Sequence, residues 1–337
     1  MDQSKMFRPC FSATQVAAII GKKIPYHTVD QAMYEVFKKD KKAAEIIAAI
    51  EQAHNRKPAN SFKGAFLKDR DIQKSVFAAL DNCKTVDDLA EKEVDATKIL
   101  WDAEARSHAL DLKVAAGIEV STEERAAVRS EVEIAAVAKK IAAEAVAAAP
   151  SVEQTLATVE AACQKVIDRT RNMSPEMAAQ LLADARGEVA KKRGLNNEDK
   201  ILNTYESERN VVLTERNTRM LRMEKETFTL VGRTDGFVAS QNRVVDSKNR
   251  TRYWTAPPVY DIIQLRVYMH MLDATDSELI EKFPKHPTRH TVYTNDAEEW
   301  ADIEASLNLA TRRMTEILAD ASSLEDIVFK NTVENGA

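Results

Sequence analysis

From about Lys38 to Lys192 the chain is almost wholly helical in character. Alanine, glutamate, lysine and leucine dominate this stretch and glycine is scarce, a composition that favours helix residue by residue. The stretch therefore reads as a helical insertion or an elaborated helical subdomain. Breaks are predicted near Arg56-Lys57-Pro58-Ala59-Asn60, Gly117, Ala149-Pro150-Ser151 and Met173-Ser174-Pro175. Ser151 and Gln154 form a Ser-x-x-Gln capping box, and Ser174-Pro175 places a proline at a first helical position. No repeat period is evident.

Strand character appears between Phe228 and Lys248. The run FTLVGRTDGFVAS alternates apolar residues around an Asp-Gly pair, and RVVDSK comes after a polar Ser-Gln-Asn turn. Strands favour β-branched and aromatic residues, and Ser, Asn and Gly favour turns. A β-hairpin is predicted. Side chains alternate along a strand, so Asp246 and Lys248 share a face and Ser247 points away from it. Asp235 lies eleven residues upstream of Asp246.

This pattern has a chemical reading. Hard divalent cations take carboxylate, carbonyl and water oxygens. Asp235 and Asp246 supply carboxylates and the Ser247 backbone carbonyl a further oxygen. Such a cation stabilises charge on a phosphate and lowers the pKa of bound water. Lys248 orients that water or neutralises developing charge. Downstream, DIIQLRVYMHML is apolar at helical spacing, and its i, i+4 pair Gln264 and Tyr268 share a face. Gln264 sits in an apolar run, where a buried amide needs a partner. Tyr268 also reads as a core aromatic, and His270 as a packing or surface residue. HPTRHTVYTND contains a predicted strand from Arg289 to Tyr293, and an amphipathic helix begins near Asp296.

The formal net charge is −5, with 44% hydrophobic and 30% charged residues, as in ordinary soluble globular chains. Phosphate contacts need only a local basic groove. Basic runs occur at Lys191-Lys192-Arg193, Arg216 to Arg222 and Arg243 to Arg252. The last run abuts Tyr253 and Trp254, residue types that hold the backbone and bases of a frayed strand. The three cysteines, Cys10, Cys83 and Cys163, form neither a disulfide framework nor a zinc site, and fit a reducing compartment. No apolar run reaches transmembrane length and no signal-peptide core is present, so a soluble intracellular protein of cytoplasm or nucleus is expected.

An isolated acid, a later acid-x-lysine and a helical Gln-x-x-x-Tyr together resemble the site pattern of PD-(D/E)xK nucleases. Two further stretches make the chain similar to the YqaJ / lambda-exonuclease-type viral recombinase family within that superfamily. One is Gly194-Leu195-Asn196-Asn197-Glu198 with Tyr205-Glu206, similar to a G-x-x-x-E helix ending in an aromatic-Glu pair. The other is FSATQVAAIIG near the N-terminus, similar to the family's opening helix, here ended by Gly21. The resemblance implies that Glu198 is an upstream catalytic acid helping to hold metal or water. It implies that Arg8, Ser12 and Thr14 grip a terminal phosphate, a role suited to a helix N-terminus. Ser12 reads equally well as an N-cap. Two positions depart from the family pattern: Asp246 stands where many relatives have Glu, and Thr234 where Ser-Pro is common. Thr234 keeps a hydroxyl for a phosphate contact. A cysteine cluster near the C-terminus is absent, which excludes the iron–sulfur variant.

The expected fold is α/β (α+β): a restriction-endonuclease-like core with a small mixed β-sheet flanked by helices, plus a large helical insertion. Residues 1–37 and 191–330 form the core, 38–190 the insertion and 331–337 a flexible tail. The insertion suits clamping DNA, an oligomer interface or a partner. The resemblance implies a Mg²⁺-dependent deoxyribonuclease, with Mn²⁺ able to substitute. It would act as an exonuclease at duplex ends in recombination or replication, leaving 5′-phosphate and 3′-hydroxyl products. Glu198, Asp235 and Asp246 bind the metal in this scheme, Lys248 positions water, and Gln264 and Tyr268 shape the substrate side. Thr234, Arg250 and Arg252 join the DNA contacts. A single-strand-annealing protein, a homo-oligomer and a viral or phage-like setting are further family implications. A structure-specific or nicking endonuclease, a non-catalytic DNA-binding scaffold and an RNA substrate are the alternatives.

Overall fold

A computed structural model of the chain describes residues 7–22, 28–58, 66–169, 175–283 and 286–334. The fold is α+β, mostly helical with small sheets. The chain forms two compact units, one built from residues 1–73 and 162–337, the other from residues 74–161.

In the first unit, β5 (Gly236–Val238), β6 (Arg243–Asn249), β7 (Asp276–Phe283) and β8 (His286–Thr294) form a four-stranded mixed sheet in that order. The β5–β6 and β7–β8 pairs are antiparallel, and β6–β7 is parallel. A parallel pair needs a crossover, supplied here by α8 (Val259–Leu272). Neighbouring residues of β6 serve two cores. Val245 and, on the neighbouring β7, Ile280 pack with Ile201, Leu202 and Tyr205 of α7 (Pro175–Arg209). Val244 and Leu279 pack with Ile263, Leu265 and Val267 of α8. Both faces are covered, so adjacent Val244 and Val245 are both fully buried although they point to opposite sides.

A second sheet has the order β1 (Cys10–Ser12), β4 (Thr229–Gly232), β3 (Leu221–Glu224). α1 (Ala13–Ile19) leaves β1 directly and packs on α8. Ser12 occupies its N-cap position, but its hydroxyl donates to Gln15 Oε1 at 2.9 Å and caps no backbone N–H. α2 (Val29–Lys39) begins at a capping box of Thr28 and Gln31. α3 (Lys41–Ala53) comes next, and Met33, Phe37 and Ile47 join the main core with α9 (Ala297–Ala319) and α10 (Ala321–Asn331).

The expected insertion at 38–190 is wider than the separate unit at 74–161. Ile47 is fully buried against the main core, so α3 belongs there. The expected far boundary falls inside α7, which runs unbroken from Pro175 to Arg209. The tail differs too. Thr332–Glu334 forms β9, antiparallel to β2 (Arg56–Pro58), and the Arg56 guanidinium donates to Thr332 and Phe329 oxygens. Residues 335–337 lie outside the described residues, as do Ala59, Asn60, Met173 and Ser174 of the predicted breaks.

In the second unit α4 (Arg70–Ala115) ends before Gly117, whose φ of +75° suits glycine. α5 (Thr122–Ala148) is capped by Ser121, and Leu100 and Ala103 meet Val132 and Ala135. α6 (Val152–Arg169) opens on the predicted capping box: Gln154 N donates to Ser151 Oγ at 3.1 Å and Ser151 N to Gln154 Oε1 at 2.7 Å. Among the described residues no helix is long and apolar enough to cross a membrane.

Candidate active site

β6 carries Asp246 and Lys248 on the face that α8 covers. Asp246 is buried, and Lys248 Nζ lies 2.5 Å from its Oδ2. Oδ1 accepts from Gln264 Nε2 at 3.4 Å. β5 pairs with β6 so that Gly236 lies opposite Val245, which brings Asp235 beside Asp246 and Ser247. Asp235 Oδ2 accepts from Ser247 N at 2.7 Å and from Ser247 Oγ at 3.0 Å. Strand alternation alone turns Ser247 away from the site. Its hydroxyl serves the site because Asp235, the residue before β5, accepts from both the Ser247 N–H and its hydroxyl.

Glu198 reaches the site from α7, where Asn217 Nδ2 donates to its Oε1. Asn217 sits at φ +47°, a left-handed conformation that asparagine tolerates, and its N–H donates to Thr234 O at 3.2 Å. Asn217, tied in this way to the Thr234-Asp235 turn, is a site residue that the sequence does not single out. Its signal, an asparagine in a turn, is shared by too many turns.

Burial raises the pKa of all three acids. For Asp246, burial and the Asp235 charge outweigh Lys248 and push the carboxyl up to about 7. Burial opposes the Lys248 charge, but Asp246, Asp235 and Asp261 hold its ammonium above the ordinary lysine range. An acid of raised proton affinity thus lies against a lysine that keeps its proton.

α8 supplies the wall. Gln264 Nε2 also lies 3.3 Å from Tyr268 Oη, and that hydroxyl donates to Arg233 O at 2.7 Å. Burial raises the Tyr268 pKa to about 12, so it stays a neutral donor. The ring leans on Gly232: a Cβ there would meet Tyr268 Cε1 at 2.5 Å and Ala13 Cβ at 3.1 Å. Glycine at 232 lets β4, the start of α1 and Tyr268 meet.

A charged layer lies across from Lys248. Its parallel partner is Glu281, fully buried between Arg250 and Arg289. Arg250 also pairs with Asp261 at 2.6 Å. Arg250, expected among the DNA contacts, has its guanidinium buried and engaged by two carboxylates. Thr234 is buried as well. Arg8 donates to Lys225 O and lies 3.7 Å from Glu224. Ser12 and Thr14 bond each other at 3.1 Å at the start of α1. Arg252 is exposed, with its guanidinium over the Trp254 ring. The basic run at 216–222 is neutralised locally: Arg216 pairs with Glu206, Arg219 with Glu215 and Arg222 with Glu224. On α7, Tyr205 and Glu206 serve the scaffold, through Glu278 and the Leu213 N–H.

Among the described residues no three His, Cys, Asp or Glu side chains form one cluster able to hold a metal ion. Glu198, drawn to Asn217, does not complete a three-acid set. Asp235 and Asp246 remain a two-carboxylate donor set beside the Ser247 backbone, and that donor chemistry suits a hard cation.

No family model and no curated protein matches the chain. Among solved structures it is similar to an alkaline exonuclease from Laribacter hongkongensis, at 17% identity and a TM-score of 0.34, covering 53% of this chain and 86% of that one. A structure of that exonuclease with dAMP gives 17% identity and a TM-score of 0.33, covering 54% and 88%. A phage-related exonuclease from Haemophilus somnus is similar at 14% identity and a TM-score of 0.33, covering 48% and 83%. The chemistry of the site is carried by its own geometry rather than by these likenesses.

Proposed function

We propose that the chain is a Mg²⁺-dependent nuclease that hydrolyses DNA phosphodiester bonds, working from duplex ends. The carrying observation is the buried Asp246–Lys248 pair on one strand face, with Asp235 alongside and Gln264 bridging Asp246 to Tyr268. Asp235 and Asp246 would hold the cation, with the Ser247 carbonyl as a third oxygen. Bound there, Mg²⁺ supplies charge stabilisation at the phosphate and a water of lowered pKa. Lys248 faces the same oxygens and keeps a proton, so it orients the nucleophile and offsets charge that develops on the phosphate. Gln264 fixes the Asp246 carboxylate. Tyr268, a neutral donor braced on Arg233, closes the wall. Glu198 stands at the edge, where its raised proton affinity suits taking a proton from water. End-directed action and a role in recombination or replication rest on the family resemblance.

The test is degradation of end-labelled linear duplex DNA beside a closed circle, with and without Mg²⁺, and with Lys248→Ala in parallel. Mg²⁺-dependent loss of linear DNA alone, abolished by the substitution, is the expected result. Cutting of the circle would replace end-dependence with an endonuclease. Absence of metal-dependent cleavage of either DNA would overturn the reading.

A further inference from the structure

We infer that the loop joining β6 to α8 is a stacking platform for an unpaired nucleobase, with Tyr253 as the contact surface. The inference deepens the nuclease reading and rests on it for the nature of the ligand. The loop leaves β6 just after Lys248 and delivers the chain to the helix of Gln264. It is pinned from several sides. Arg250 N donates to Lys282 O at 2.8 Å, Arg193 Nη1 to Arg250 O at 2.9 Å, and Arg289 Nη1 to Trp254 O at 2.7 Å and Thr255 O at 3.1 Å. The same Arg289 pairs with buried Glu281, which lies opposite Lys248 in the sheet register. The loop is thus mechanically coupled to the layer behind the active lysine.

The aromatic and basic side chains that the sequence groups here have separate fates. Arg250 is buried in ion pairs. Trp254 is half-buried and carries the Arg250 and Arg252 guanidinium groups at 5.6 and 5.4 Å from its ring centre. Tyr253 is 49% exposed. Its ring is backed by Phe283 at 5.0 Å and His286 at 4.4 Å, with the Arg289 guanidinium 5.9 Å away. An exposed ring buttressed by aromatics and cations, on a fixed loop, loses little freedom on stacking. Every base offers a π-face, and arginine beside it meets the phosphate, so such a surface takes single strands without regard to sequence. The loop that carries it leaves β6 at Asn249, one residue after Lys248, which suits a base unstacked from a frayed end whose phosphate reaches the lysine.

The test is binding of fluorescently labelled oligothymidylate, read by anisotropy without metal, in the Lys248→Ala background so that cleavage is off. Tyr253→Ala is expected to weaken binding by roughly 5- to 150-fold, the range for one base–aromatic stack. Tyr253→Phe, which keeps the ring, is expected to restore the affinity. Trp101→Ala, which removes another exposed aromatic ring in the second unit, serves as the comparison and is expected to change nothing. No binding by the parent, unchanged binding in Tyr253→Ala, or equal loss in Trp101→Ala would each overturn the platform. The readout separates the two claims: Tyr253-dependent binding without cleavage by the wild type sinks only the nuclease reading. Cleavage with Tyr253-independent binding sinks only the platform.

Discussion

Gly232→Ala joins fold and site in one perturbation. The new methyl would lie 2.5 Å from Tyr268 Cε1 and 3.1 Å from Ala13 Cβ. Neither neighbour yields easily. Ala13 is buried at the start of α1, and the Tyr268 ring is buried and held by its hydroxyl on Arg233 O. Overpacking of this kind costs about 1–3 kcal/mol. Displacing the ring also breaks the Arg233 hydrogen bond, about 1 kcal/mol more. The expected loss is therefore about 2–4 kcal/mol in urea unfolding at about pH 7. Because Tyr268 Oη lies 3.3 Å from the amide that reaches Asp246, cleavage should fall as well. The decisive assay is a double-mutant cycle. In a Tyr268→Leu background the ring is gone and Gly232→Ala should lose most of its effect, a coupling of about 1–3 kcal/mol. Additive costs, or a Gly232→Ala protein as stable as the parent, would refute the claim that glycine is kept for this ring.

Glu278 tests the scaffold behind the sheet. Burial opposes its charge, but His290, Tyr205, Arg243 and Arg209 outweigh that and lower its pKa from 4.5 to about 2. A depressed carboxyl stabilises the fold above its unfolded pKa, and the benefit fades as pH falls from about 4.5 toward 2. Glu278→Gln should therefore lose about 3 kcal/mol at about pH 7 and much less at about pH 2.5 in urea unfolding; a gap independent of pH would contradict this. Mg²⁺ affinity should rise with pH through about 7, as Asp246 gives up its proton, measured by calorimetry in buffers of differing ionisation heat; binding without proton release would count against Asp246 as a ligand. Asn217→Ala removes a hydrogen bond that lowers the Glu198 pKa. The carboxyl should shift further up, which carboxylate NMR would register, and an unmoved resonance would remove Asn217 from the site.

The local pattern was legible in the sequence. The one-residue spacing of Asp246 and Lys248 fixes a shared strand face, and the i, i+4 spacing of Gln264 and Tyr268 fixes a shared helix face. Both arise from backbone periodicity, which neighbours do not alter. The capping box at Ser151 and the break at Gly117 were legible for the same reason. What joins distant segments was not. Ser247 belongs to Asp235 only because β5 begins, at Gly236, where it does. Asn217 reaches Glu198 across a turn, and β9 pairs with β2 from the far end of the chain. The arginines show the limit best. Arg250 and Arg252 are near neighbours and look alike in sequence, yet one is buried between Asp261 and Glu281 while the other stands exposed on Trp254. Periodicity states which residues share a face, and only packing decides whether that face meets a carboxylate, a ring or water.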